Sequence, residues 1–276
     1  MTSRSARTCL FTTLTVLAFA HANAQHERIA PATSKTLSAQ EAGSARLLFE
    51  RLTFPNPDGT LLPYRLLRPQ QPAGQRFPLV IMLHGSDKIG TDNEGQLADL
   101  ALAWALPANR QQFPAFVAVP QFPGRTSNYD LSLSDHLLAS HPASPLLPLF
   151  DLVDQLTATF PIDPNRVYLV GFSMGGSGAW QSLLIQPEKF AAAVILSGTP
   201  PDRILASRFR RSPLLICHGD ADPENPYAAA LAMFEAIGPD SEARFRTYTG
   251  MVHTAPPDIA DPASTWWRDW LFSQHR

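Results

Sequence analysis

Five short, largely apolar runs set the frame for this chain: Pro78–Leu83, Phe116–Val119, Arg166–Phe172, Ala191–Leu196 and Pro213–Cys217. Each ends in turn-forming residues, and none alternates cleanly between apolar and polar. Continuous apolar runs of this length suit strands buried on both faces, as in a parallel sheet. Between and after them lie Leu97–Leu106, Leu147–Phe160, Gly175–Gln186, Ala228–Ile237 and Thr265–Ser273, which have helical lengths and roughly helical apolar spacing. Ahead of them, Leu47–Phe54 and Leu62–Leu67 flank Pro55-Asn56-Pro57-Asp58-Gly59 and read as a hairpin. Arg244–Tyr248 is a weaker eighth strand. The alternation predicts an α/β architecture of about eight mostly parallel strands with helices on both faces. There is no internal repeat and no interdomain linker after residue 47, so residues 47–276 are expected to form a single domain.

The first residues are expected to be removed. Arg4 and Arg7 precede an apolar run from Cys9 to Ala20, and Ala22-Asn23-Ala24 follows with small residues at its first and third positions. That is the order of a secretory signal peptide, and the run is well short of the ~20 residues that span a bilayer as a helix. Cleavage after Ala24 predicts a secreted or periplasmic protein with no integral membrane span. Residues 25–46, rich in Gln, Ala, Ser, Thr and Pro, read as a poorly ordered lead-in. Cys217 would then be the only thiol left, and its run Leu214-Leu215-Ile216-Cys217 reads as a small buried hydrophobe rather than a reactive site. With 22 basic against 24 acidic residues, the chain shows no electrostatic footprint for nucleic acid.

Chemistry is announced where Val167-Tyr168-Leu169-Val170 runs into Gly171-Phe172-Ser173-Met174-Gly175, a G-x-S-x-G turn between a strand and a helix. A serine on so sharp a turn brings the residues two positions either side together, and side chains there would clash. Ser173 also falls at a helix N-terminus, where backbone N–H groups favour a developing negative charge. Ser177, one turn on, reads as an ordinary helix residue.

A serine needs a base, and the base an orienting acid. His253, in the loop after the last strand, is the base by elimination. His275 is penultimate, and His21, His26, His136 and His141 fall in the leader, the lead-in and a long loop. His84 and His218 end strands, where turn or hydrogen-bonding roles are expected. For the acid, Asp220, Asp222 and Glu224 all follow the strand ending at Cys217. Asp222 is preferred because Pro223 restricts its backbone, with Asp220 in reserve. Two backbone donors for an oxyanion are expected: the Met174 N–H, and the Ser86 N–H in Leu83-His84-Gly85-Ser86-Asp87.

These residues together resemble the serine-esterase branch of the α/β-hydrolase superfamily. The likeness rests on Leu83-His84-Gly85, the Gly171–Gly176 turn, His218-Gly219-x-x-Asp222 and His253. It is nearest to phospholipase/carboxylesterase and polyhydroxybutyrate-depolymerase-like esterases. Pro187-Glu188-Lys189-Phe190-Ala191-Ala192, Ser197-Gly198 and the Trp270-Leu271-Phe272 ending add to it. The resemblance covers about residues 48–276 and implies an eight-stranded α/β-hydrolase fold, a Ser173–Asp222–His253 triad and an ester substrate, small or polymeric. No metal or cofactor motif is present: there is no HExxH, no CxxC and no Gly-rich phosphate loop. The nearest rivals are a prolyl-oligopeptidase-like peptidase and, in a different class, a catalytically dead hydrolase scaffold used for binding. The connection from Pro120 to Leu146 is long for its kind, and Arg125, Tyr129 and Asp130 within it could contact substrate, although decoration of a surface loop is the favoured reading. Trp266, Trp267 and Trp270 have helical spacing and read as packing residues.

Overall fold

The computed structural model of the chain describes residues 26–33, 35–70 and 74–276. The leader and its cleavage point lie outside these residues. A nine-stranded sheet runs through the molecule. In chain order its strands are β1 (His26–Ile29), β2 (Glu50–Pro55), β3 (Leu61–Leu67), β4 (Phe77–Leu83), β5 (Phe116–Pro120), β8 (Ile162–Phe172), β9 (Ala192–Leu196), β10 (Leu214–Gly219) and β11 (Ala243–Tyr248). Strands β6 (Ser127–Leu131) and β7 (Leu138–Pro142) form a separate antiparallel hairpin. Across the sheet the order is β1-β11-β10-β9-β8-β4-β5-β3-β2. From β1 to β5 every neighbouring pair is parallel, while β5–β3 and β3–β2 are antiparallel. The expected α/β-hydrolase pattern is therefore present, with one more strand than predicted.

The helices are α1 (Ala39–Arg46), α2 (Asp99–Leu102), α3 (Pro107–Gln112), α4 (Pro148–Thr159), α5 (Met174–Ile185), α6 (Tyr227–Ile237), α7 (Pro257–Ala260) and α8 (Trp266–Phe272). Alternation along β4 divides the core between the two faces. Leu79, Ile81 and Leu83 join one cluster with residues of α4, α5 and α6. Val80 and Met82 join the other with Ala101, Ile259, Trp267 and Leu271 from α2, α7 and α8. Successive strand side chains point to opposite faces, so a strand apolar at every position must be covered on both.

The stretch expected to be a poorly ordered lead-in carries both β1 and α1. Strand β1 has almost no apolar content and holds its place through its backbone and its charges: Arg28 pairs with Asp220 at 3.0 Å and Glu27 with Arg246 at 2.7 Å. Helix α1 opens on a capping box in which Ser38 and Glu41 satisfy each other's backbone N–H groups. The long connection after β5 is likewise ordered, because its hairpin packs on α5. Gln181 Nε2 of that helix donates to Ser140 O of β7 at 2.9 Å. Cys217 is fully buried, and Trp267 and Trp270 are packed as expected.

Candidate active site

Strand β8 ends at Phe172 and α5 begins at Met174, which leaves Ser173 alone on the turn. Its backbone sits at φ +56° and ψ −119°, a region that non-glycine residues occupy only under constraint. Two glycines make the turn feasible. A Cβ on Gly171 would lie 2.1 Å from Gly175 O, and one on Gly175 would lie 2.1 Å from Leu83 O. Neighbours hold the strained residue in place: Ser173 N–H donates to Leu196 O at 2.9 Å, and Ser173 O accepts from Ser177 N–H at 3.0 Å. Ser177 is buried in α5 and accepts from Thr199 N–H at 3.0 Å, in keeping with its reading as a helix residue.

The loop after β11 brings His253 to this serine. His253 Nε2 lies 2.8 Å from Ser173 Oγ, and His253 Nδ1 lies 2.8 Å from Asp222 Oδ2. A carboxylate only accepts, so Nδ1 carries the proton and Nε2 presents its lone pair to the serine hydroxyl. The three acids left open by the sequence separate by geometry. Asp220 faces elsewhere, accepting from Gly250 N–H at 2.6 Å and pairing with Arg28. Glu224 Oε2 stands 3.7 Å from His253 Nε2 but is largely exposed. Asp222 alone reaches Nδ1, from a side chain with no exposed surface.

Asp222 is held by four donors. Oδ1 accepts from the N–H groups of Glu224 at 2.9 Å and Asn225 at 3.0 Å, while Oδ2 faces His253 and, at 3.2 Å, His218 Nε2. Burial pushes its pKa up, but the hydrogen bonds from His218, His253 and the two backbone groups outweigh that and hold the carboxyl well below the usual range. For His253, burial pushes the pKa down; the hydrogen bond and charge of Asp222, with Glu224, more than reverse this and raise it above the ordinary imidazole value. His218 is the residue that sequence reasoning undervalued. It sits four positions before Asp222, and its Nε2 also faces Asn225 O at 2.8 Å. The His218-Gly219-x-x-Asp222 spacing was the available signal.

The two expected oxyanion donors lie at helix starts. Met174 opens α5, and Ser86 opens a one-turn 3-10 helix, Ser86–Lys88. Helix starts leave their first N–H groups without intrahelical partners. The loop runs close to the serine: a Cβ added to Gly85 would come within 3.7 Å of Ser173 Cβ. His84 fixes it: Phe122 N–H donates to His84 Nε2 at 3.0 Å, so His84 Nδ1–H donates to Gly85 O at 2.8 Å. Burial pushes the His84 pKa down, in line with an imidazole that accepts at one nitrogen. Of the candidates in the long connection, Asp130 is tied to His141 at 2.7 Å within the hairpin, and Tyr129 is half-buried, with burial pushing its phenol pKa up. Arg125 is exposed. Among the described residues, no group of three His, Cys, Asp or Glu side chains is placed to hold a metal ion.

The fold and the serine–histidine–aspartate array define an α/β-hydrolase. A family model described as phospholipase/carboxylesterase matches residues 145–268, which include β8, the serine turn and His253. A probable carboxylesterase from Oryza sativa subsp. japonica is 24% identical over 208 residues, covering 70% of this chain and 86% of its own length. A poly(3-hydroxyalkanoate) depolymerase from Paucimonas lemoignei is 27% identical over 163 residues, covering 59% of this chain but 37% of its own. The crystal structure of a thermostable esterase superposes with a TM-score of 0.74 at 30% identity, over 84% of this chain and 64% of that one. The chain thus has the α/β-hydrolase fold and is similar to esterases and carboxylesterases.

Proposed function

We propose that the protein is an exported serine esterase that cleaves carboxylic esters through an acyl-enzyme. The observation that carries this reading is one imidazole bridging Ser173 Oγ and Asp222 Oδ2 with both contacts at 2.8 Å. Ser173 Oγ attacks the ester carbonyl carbon while its proton passes to His253 Nε2. The carbonyl oxygen becomes the oxyanion, taken by the Ser86 and Met174 N–H groups. As the C–O bond to the alcohol breaks, His253 returns the proton to the departing oxygen, leaving acyl-Ser173. Water repeats the sequence and releases the acid. Asp222 stays ionised throughout, keeping the Nδ1–H tautomer and stabilising the imidazolium.

Export is supported by the charged, apolar and small-residue order ending at Ala24. The chemistry is tested with a fluorophosphonate probe on the intact protein. Wild type is expected to be labelled at Ser173, with Ser173→Ala unlabelled and its ester turnover reduced about 10³-fold or more. An unlabelled wild type that hydrolyses no ester sinks the reading and favours a binding scaffold.

A further inference from the structure

The 3-10 helix Arg203–Phe209 and the two residues after it carry four arginines in nine positions, Arg203, Arg208, Arg210 and Arg211, with no acid among them. Ala206 and Phe209 are buried, and the Phe209 ring packs edge-on against Trp180 at 4.9 Å. Residues three apart line up along a 3-10 helix. Ile204, Ser207 and Arg210 therefore share one line, and all three are exposed. One carboxylate pins the tip of the β6–β7 hairpin to the start of this helix. Asp202 accepts from Ser132 Oγ at 2.6 Å, from Ser134 Oγ at 3.2 Å and from Ile204 N–H at 3.0 Å. Arg203 Nε adds an ion pair with Asp135 at 2.6 Å. Around this anchor Leu133 is 95% exposed, Ile204 75% and Leu131 59%.

A single exposed aliphatic is ordinary on a surface. Three of them around one anchor, beside arginines without counter-charges, are not. Among the described residues, the side chains of Arg210 and Arg211 have no hydrogen-bond or ion-pair partner, and Arg208 reaches only Leu184 O, at 3.5 Å. The acids of the hairpin are engaged: Asp135 with Arg203, and Asp130 with His141 at 2.7 Å. The near balance of 22 basic and 24 acidic residues over the whole chain conceals this local excess. Leu47 gives the contrast, since it is equally prominent but Arg46 beside it is paired with Glu94 at 3.4 Å.

We propose that this face docks the protein on the surface of an anionic phospholipid bilayer, with Leu131, Leu133 and Ile204 entering the headgroup layer and Arg208, Arg210 and Arg211 meeting lipid phosphates. Projecting apolar side chains flanked by cations are what such an interface takes up. The leucines project from a turn rather than line a groove, and a fluid bilayer needs no matching shape. The attachment is peripheral, because no helix among the described residues is long and apolar enough to cross a membrane. The other end of the hairpin lies by the serine turn, where Thr126 Oγ1 donates to Met174 O at 3.4 Å. The five-residue strand β6 separates that end from the docking tip by about 17 Å, so docking is independent of the ester chemistry.

The test uses the chain from Gln25 onward, which holds every described residue and lacks the leader, whose Arg4, Arg7 and apolar run would themselves attract vesicles. Partition between solution and pelleted vesicles is measured for phosphatidylcholine alone and for an equal mixture of phosphatidylcholine and phosphatidylglycerol. Binding to the anionic vesicles is expected at low salt, about tenfold or more above binding to the neutral ones and reversed by high salt. Arg210→Gln combined with Arg211→Gln is expected to weaken it about tenfold or more, and Leu133→Ser about tenfold. Thermal melts should be unchanged in these variants, because the altered side chains are exposed. Leu47→Ser is expected to bind as wild type does. Absence of binding to anionic vesicles at low salt, equal binding to both kinds of vesicle, or wild-type binding by Leu133→Ser overturns the proposal. A dimer in sedimentation equilibrium that Leu133→Ser dissociates also overturns it, because a second copy of the chain then covers the leucines.

Discussion

At the scale of single residues, two aspartates two positions apart have different duties. Asp222 reaches His253, and Asp220 ties the His253 loop to β1 through Gly250 and Arg28. Asp222→Asn is expected to lose roughly 10⁴-fold in turnover, since the amide favours the wrong imidazole tautomer. Asp220→Asn should keep at least a tenth of wild-type turnover, because it retains the Oδ1 acceptor; equal loss in both variants contradicts this division. The pKa directions give two signs. His253 is raised, so the rising limb of kcat/KM against pH should centre above the ordinary imidazole value of 6.5. Removing the Glu224 charge as Glu224→Gln should move that limb to lower pH, and a limb that stays in place would falsify the contribution of Glu224. Stability follows linkage. The contribution of Asp222, depressed when folded, is present above the ordinary carboxylate value of 3.8 and is lost as pH falls through its lower folded value. The contribution of His253, raised when folded, is full below 6.5 and is lost as pH rises through its higher folded value. Thermal melts should therefore show the gap between wild type and Asp222→Asn narrowing below about pH 4 and again as pH rises through the His253 value, since Asp222 is what raises that value.

At the scale of elements, the strand–serine–helix unit is the most constrained piece. Because a Cβ on Gly175 would lie 2.1 Å from the Leu83 carbonyl, an alanine there must push β4 away from α5. Gly175→Ala should lower stability by about 2 kcal/mol or more, read from urea unfolding, with esterase activity falling further than the folded fraction. An alanine variant of wild-type stability would show that the two elements separate easily. This unit was also the most legible in sequence, because its glycines and its apolar strand are local demands. Elements held by distant partners were not legible. Strand β1 is polar, and its place depends on β11 and on Asp220; the β6–β7 hairpin is rich in Ser, and its order depends on Gln181 across the gap. The helix expected over Leu97–Leu106 is only one turn, α2, followed by a tighter turn over Ala103–Ala105 and a new start at Pro107. Proline cannot continue a helix through its missing N–H, but it opens one readily. His218 entered the sequence reading as a strand end and as part of a spacing, not as a partner of Asp222, since that contact four residues away depends on how the intervening turn folds back.

At the scale of the whole molecule, the sheet separates two cores and carries the chemistry on loops at one edge. Ser173, Asp222 and Ser86 all follow the C-terminal ends of parallel strands β8, β10 and β4, and His253 follows β11, the edge where open parallel sheets bind their ligands. Export is expected to yield a mature chain starting at Gln25, one residue before β1 begins at His26. N-terminal sequencing of protein recovered outside the cytoplasm checks this, and a chain still starting at Met1 counts against it. The pairing of β1 with β11 has a consequence for biosynthesis. Strand β1 emerges from the ribosome first, yet its partner β11 emerges among the last, with Glu27 and Arg246 separated by 219 residues. Until both are present, that edge and the His253 loop beside it have no mate to close against. A nascent chain thus stays unlocked at this edge for most of its synthesis, and closes it only when β11 has emerged.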